Sequence, residues 1–180
     1  MGYTTDFVGH IRIDPPLNKS EQQYLAAFAA SRRMERRDGP YAMGNEEREV
    51  VDGNAPPPGQ PGLWCQWIPS CCGRCLVWDR GEKFYAPTEW MRYVIDHLLR
   101  PGAFAARTGL PEFDKFTFDH TVSGEVAACR ADTGRLWLII VGDNDVREEV
   151  RVPGVPTDLV WAPFGDYTQP APAGPGFEPA

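Results

Sequence analysis

The order in which hydrophobic periodicities change along this chain constrains its fold more than any other feature. Residues 3–14 alternate, with Phe7, Ile11 and Ile13 on one side and Val8, His10 and Arg12 on the other, the period-two signature of a strand. Gly9 inside that pattern predicts a bulge or a close approach of another backbone. Pro15-Pro16 ends the run. Asn18 with Glu21 three positions later makes a capping-box start. Leu25, Phe28 and Ala29 then give a helix a narrow apolar stripe, expected to run to about Arg37, ahead of Asp38-Gly39-Pro40.

Residues 38–62 carry no periodicity and include Pro56-Pro57-Pro58-Gly59-Gln60-Pro61-Gly62, which predicts a long loop. Two strands follow at Leu63–Ile68 and Cys75–Asp79, joined by Pro69-Ser70-Cys71-Cys72-Gly73-Arg74. Pro87 suits a first helical position, and Met91, Val94, Ile95 and Leu98 recur at helical spacing until Pro101-Gly102. Strands are expected at about 116–129, 135–142 and 146–152, with turns at Asp132-Thr133-Gly134 and Asp143-Asn144-Asp145. Strand, helix, two strands, helix and three strands predict an α+β protein. The expected plan is an antiparallel sheet with two helices on one face, a split βαβ (ferredoxin-like) arrangement with extra C-terminal strands. A single domain is expected over residues 1–155, with a disordered proline-rich tail at 163–180.

The charge balance is 18 basic against 25 acidic residues, a net charge of -7, which disfavours nucleic acid and anionic membranes. Arg32, Arg33, Arg36 and Arg37 form a local exception, read as a solvated last turn of the first helix, where cations suit the dipole. The opening residues lack a secretory signal, and no apolar run is long enough to span a membrane. Asp6 stands where a myristoylation site has Ser or Thr. With five cysteines and no export signal, reduced thiols and a cytoplasmic location are expected.

Four of the six tryptophans fall between Trp64 and Trp90. If Ile68 pairs with Cys75, then Trp64, Gln66 and Asp79 share one face of the hairpin, a half-open binding face. Cys65, Trp67, Leu76 and Trp78 share the other, which belongs in the core. Asp79, Glu82, Lys83 and Glu89 stand close in sequence among aromatics that include Tyr85. Such a group could do acid–base work, hold a polar ligand, or form a salt-bridged turn. Cys72-Gly73-Arg74-Cys75, with Cys71, has knuckle-like spacing for zinc but no nearby fourth ligand, so no metal and no cofactor is expected. His10, His97 and His120 belong to no recognisable catalytic arrangement, and no phosphate-binding glycine motif occurs.

The opening Met1-Gly2-Tyr3-Thr4-Thr5-Asp6-Phe7, the run Pro58-Gly59-Gln60-Pro61-Gly62-Leu63-Trp64-Cys65-Gln66-Trp67, and Trp78-Asp79-x-Gly81-Glu82-Lys83-Phe84-Tyr85 with Glu89-Trp90 resemble a family of short uncharacterised bacterial and bacteriophage proteins. Gly124-Glu125-Val126 and Asp143-Asn144 fit the same resemblance. Arg80 departs from its Asp-Gly-Gly turn, and the thiols at 71–75 lie outside its pattern. The resemblance implies a setting in phage–host conflict and carries over no catalytic role, since no activity is assigned to that family. The leading expectation is a non-catalytic binding module for a small polar ligand, a nucleotide among the candidates, or for a protein partner. The alternatives are an enzyme acting on a nucleotide or similar metabolite through Asp79, Glu82 and Lys83, and a structural subunit of an assembly.

Overall fold

The computed structural model describes residues 4–43 and 49–154. In chain order the elements are β1 (Thr5–Asp14), α1 (Lys19–Ala30), β2 (Glu35–Arg36), β3 (Val50–Asp52), β4 (Trp67–Pro69), β5 (Cys75–Trp78), α2 (Pro87–Val94), β6 (Thr121–Arg130), β7 (Leu136–Gly142) and β8 (Asp145–Val152). Six strands form one antiparallel sheet in the order β4-β5-β1-β6-β7-β8, and β2 and β3 form a small second sheet. The protein is therefore of the α+β class. No helix among the described residues is long and apolar enough to cross a membrane.

β1 is the hub of the sheet, flanked by β5 and β6. Phe7, Ile11 and Ile13 are buried as their alternation requires, and they pack with Val122, Val126, Ala128, Trp137, Ile139 and Val141 of the neighbouring strands and with Leu25, Phe28, Met91 and Val94 of the helices. Gly9 proves to be a close approach and not a bulge. The ladder runs through it unbroken, opposite Val126, and a Cβ there would stand 2.5 Å from the Glu125 carbonyl oxygen.

α1 starts as its sequence dictates. Asn18 Oδ1 accepts from the Ser20 and Glu21 backbones at 2.8 and 3.1 Å, and Glu21 Oε2 accepts from Asn18 N–H at 2.7 Å. It stops at Ala30, seven residues short of the expected Arg37, because tertiary contacts claim the following backbone. Arg33 N–H donates to the Leu63 carbonyl at 2.8 Å and Glu35 N–H to that of Ala55 at 2.9 Å. The arginine stretch is likewise not a solvated turn: Arg33 and Arg36 are buried. Nor are the described residues of 38–62 structureless, since β3 pairs with β2 and both Tyr41 and Gln60 are buried.

The β4–β5 register is Trp67↔Trp78, Ile68↔Val77 and Pro69↔Leu76, two places from the expected Ile68–Cys75 pairing. A slip of two keeps every side chain on its face, so the core assignments of Trp67 and Leu76 stand. Met91, Val94, Ile95 and Leu98 are all fully buried, and after Val94 the helix widens into a π turn over Ile95–Leu99, closed by Arg100 N–H on the Ile95 carbonyl at 3.1 Å. β6 begins at Thr121 and not near 116, because Thr117 and His120 turn to meet Glu21. Asp143 and Asn144, at φ 49° and 71°, make the two-residue β7–β8 hairpin turn that their sequence favours.

Candidate functional site

A cleft of about 620 Å³ with a mostly apolar lining opens between the stretch Asn54–Gln66 and the stretch from Glu82 to Trp90. The first stretch and the second as far as Ala86 are irregular, and side chains pin them to the sheet. Gln66 is buried, and its amide ties the two together: it accepts from Trp78 Nε1–H at 3.2 Å and donates to the Glu82 carbonyl at 3.2 Å. Trp67 Nε1–H donates to the Pro87 carbonyl at 2.9 Å and so fixes the start of α2. Between these anchors the backbone is left-handed at Arg80, Lys83 and Ala86, with φ of 67°, 61° and 52°. Phe84 enters the core, with its ring 5.7 Å from Phe7 and 5.2 Å from Trp67. Lys83 and Tyr85, on either side of it, remain on the cleft.

The walls carry two large aromatic rings that the core does not use. Trp64 is 48% exposed and Tyr85 52%, while Pro56, Pro61 and Gly62 add apolar and small surface. Trp90 contributes from below. It is fully buried, its Nε1–H has no hydrogen-bond partner among the described residues, and a Cβ on Gly62 would stand 3.7 Å from that nitrogen. An indole N–H can only donate, so the cleft floor holds an unspent donor.

Five of the residues singled out in the sequence, Trp64, Gln66, Glu82, Lys83 and Tyr85, line this cleft. Two do not. Asp79 Oδ1 accepts from Gly81 N–H at 2.7 Å and closes a turn. Glu89 lines a separate polar hollow of about 290 Å³ with Thr5, Arg130, Arg135, Trp137 and Glu148, and it lies 3.8 Å from Arg92. The proposed acid–base trio is thus not assembled around one cavity. Gln66 is also not part of an open sheet face. It and Trp64 precede β4, so strict alternation does not govern them, and Gln66 turns inward while Trp64 turns outward. Sequence reasoning missed Asn54, Pro56, Pro61, Gly62, Leu63 and Trp90 as lining residues. The Pro-Gly run beside Trp64 was the available signal, since such a loop can bring backbone close to a ligand.

The remaining reactive groups lie elsewhere. Burial pushes the Cys65 thiol up to about 12, which leaves it protonated and inert as a nucleophile. Cys71 and Cys72 are exposed and Cys75 half-buried. The Cys72 thiol is drawn down by the Ser70 hydroxyl 3.4 Å away and by the Arg74 backbone. Among the described residues no three His, Cys, Asp or Glu side chains are placed to hold a metal ion. His97 is stacked on Tyr93 at 3.8 Å, and its Nδ1 is hydrogen-bonded with the Tyr41 hydroxyl at 2.7 Å, with burial holding its pKa down at about 4. No protein-family model, curated protein or solved structure matches this chain.

Proposed function

We propose that the protein is a non-catalytic binding module. Its cleft takes a small polar ligand, or a segment of a protein, that presents a flat or extended apolar surface to Trp64 and Tyr85. One observation carries the reading: two aromatic rings stand about half exposed on the walls of one apolar cleft. Aromatic side chains bury large areas when they pack, and concave apolar sites with a few polar groups are where ligands bind. Lys83 and Glu82 on the rim, with the Trp90 donor below, supply the polar groups that orient an occupant. An enzymatic reading through Asp79 has less support, because that carboxylate is committed to Gly81 N–H. The neighbour order β4-β5-β1-β6, with β5 set between β4 and β1, supports the split βαβ (ferredoxin-like) plan as part of the same proposal.

The test is a thermal-shift screen with nucleosides, nucleotides, amino acids and short peptides, repeated on Trp64→Ala and Tyr85→Ala. A ligand at one hundred times its Kd adds roughly 2.7 kcal/mol to the native state, enough to raise Tm by several degrees. Hits that both variants abolish support the cleft. Hits that neither variant changes would move the site elsewhere.

A further inference from the structure

We infer that Cys72 and Cys75, at the tip of the β4–β5 hairpin, form a thiol–disulfide exchange site. Cys72 is the attacking sulfur, Cys75 the resolving one, and a low-molecular-weight disulfide the co-substrate. The inference stands apart from the cleft and does not depend on the binding-module reading.

The hairpin tip is held in one shape. Ser70 N–H donates to the Cys75 carbonyl at 2.8 Å, and Gly73 N–H to the Ser70 carbonyl at 2.9 Å. The Gly73 and Arg74 carbonyls accept from Leu17 and Ile13 N–H at 2.9 and 2.7 Å. The two residues between the thiols are thus tied to the end of β1 and the approach to α1. Gly73 is required there, since its φ is 68° and a Cβ would stand 2.6 Å from Gln22 Nε2 and 2.7 Å from the Leu17 carbonyl oxygen.

Within that frame one hydroxyl touches both cysteines. Ser70 Oγ accepts from Cys75 N–H at 3.1 Å and lies 3.4 Å from Cys72 Sγ. A hydroxyl has a single proton and two lone pairs. With the Cys75 amide on a lone pair, the Ser70 proton is free to donate to a Cys72 thiolate.

The environments of the two thiols assign their roles. Cys72 is exposed, and the Ser70 hydroxyl and then the Arg74 backbone draw its thiol below the ordinary value. Cys75 is half-buried. Burial and then the charge on Cys72 push its thiol up, against the pull of Arg12 and Arg74. The thiolate is the reactive form, so Cys72 attacks first. Its thiolate displaces one sulfur of R–S–S–R, a mixed disulfide forms on Cys72, and RS⁻ leaves with the electron pair. That step also removes the negative charge that Cys72 imposes on Cys75, which then ionises more readily. The Cys75 thiolate attacks the Cys72 sulfur, the Cys72–Cys75 bond forms and the second RS⁻ leaves. Two electrons pass from the cysteine pair to R–S–S–R, and the two cysteine protons end on two RSH.

The experiment treats the reduced full chain with oxidised glutathione, quenches in acid, alkylates and maps the peptides by mass spectrometry. The parent should yield a Cys72–Cys75 bond. Cys75→Ser should stall with glutathione on Cys72, and Cys75→Ala should give the same result should the serine variant fail to fold. Cys72→Ser should slow the reaction of the loop at least tenfold, while Cys71→Ser stays within twofold of the parent. Ser70 acts through Cys72 as a positioning residue. Ser70→Ala should therefore slow the first step at least threefold, and Ser70→Thr, which keeps the hydroxyl, should restore it. In urea the advantage of Cys72 over Cys71 should vanish, because the fold creates it. Equal rates for Cys71→Ser and Cys72→Ser overturn the inference. So does a bond that joins Cys71 or a second chain in place of Cys72 and Cys75, or glutathione left on Cys72 of the parent. A Cys72 preference that survives in urea belongs to the local sequence and overturns it as well.

Discussion

Glu21 Oε1 lies 3.2 Å from His120 Nε2, and both side chains are 1% exposed. Glu21 completes the capping box of α1 and also accepts from the Thr117 backbone and hydroxyl at 2.8 and 3.0 Å. His120 Nδ1 lies 2.7 Å from the Pro15 carbonyl oxygen. An imidazole facing a carbonyl on one side and a carboxylate on the other is best satisfied with both nitrogens protonated. The pair therefore joins the first turn of α1, the end of β1 and the approach to β6 through one buried ion pair.

Its pH dependence follows from the two shifts. Burial pushes the Glu21 carboxyl up, but hydrogen bonds from His120, Thr117 and Asn18 outweigh it and hold it at about 2. Burial pulls His120 down, and its hydrogen bonds to Glu21 and Pro15 with the Glu21 and Asp119 charges outweigh that, so its pKa is raised. A depressed carboxyl contributes stability that is present above its unfolded pKa and lost as pH falls towards 2. A raised histidine contributes stability that is present below its unfolded pKa of about 6.5 and lost as pH rises through its folded value. The stability difference between parent and Glu21→Gln should therefore be largest between these limits, at about 3–5 kcal/mol for a broken buried pair. It should shrink on both sides. Taking the difference cancels His97, which titrates in both proteins. A difference that does not shrink on the alkaline side in urea titrations would show that His120 is neutral.

Signals confined to a few neighbouring residues were legible in the sequence. The Asn18–Glu21 cap, the period of β1, the four buried positions of α2 and the π turn that continues it, and the Asp143-Asn144 turn all depend on local sterics and spacing. What was not legible depends on partners far along the chain. Arg33 and Arg36 read as a solvated helical turn until distant carbonyls and β3 claim that stretch. Thr117 and His120 look like strand residues until Glu21 draws them aside. In the cleft the sequence singled out the aromatic and charged residues of its own block. It could not show that Gln66 is a buried tie, because residues 63–66 follow no period.

Gly9 should tolerate no side chain. Its φ is +123°, and a Cβ would stand 2.5 Å from the Glu125 carbonyl oxygen, which is backbone that cannot swing away. Strained φ alone costs of order 1–3 kcal/mol, and the clash adds to it by spreading β1 from β6. Gly9→Ala should lower stability by at least about 2 kcal/mol, seen as a lower denaturation midpoint at unchanged m-value. Gly142→Ala is the control. Nothing lies within 4 Å of its Cβ position, and it should stay within about 0.5 kcal/mol of the parent.

Arg33 should not be replaceable by lysine. Its guanidinium lies 4.1 Å over the Phe28 ring and donates to the carbonyls of Pro40 and Ala42 at 2.7 and 3.0 Å and to the Ser31 hydroxyl at 3.0 Å. These acceptors suit a planar fork and stacking cation, which an ammonium does not reproduce. Among the described residues no carboxylate forms a salt bridge with it, and those that hold the cation are a ring and neutral dipoles. Arg33→Lys should cost about 2–4 kcal/mol, because at least one buried acceptor loses its donor next to a strongly hydrated charge. A melting temperature within one degree of the parent would mean that the fork is not what holds 40–42 in place.

The walls of the cleft make the sharpest ranking. Trp67 is buried, and its truncation to Ala should cost roughly 3–5 kcal/mol. Gln66 follows, contrary to its expected place on an open face. Gln66→Ala strands the Trp78 indole N–H and frees the Glu82 carbonyl, each loss of order 1–3 kcal/mol where the group stays dry. Asp79→Ala removes only the cap on Gly81 N–H from an exposed turn and should cost about 1 kcal/mol or less. Trp64→Ala should be close to neutral for folding, since half of the ring is in solvent and its neighbours line an open cleft. Urea denaturation of the four variants needs no ligand and gives the order Trp67, Gln66, Asp79, Trp64 from most to least damaging. Were Gln66→Ala as stable as Asp79→Ala, the amide would not be tying the two walls together. Were Trp64→Ala as damaging as Trp67→Ala, the ring would be core, and the binding reading would lose the observation that carries it.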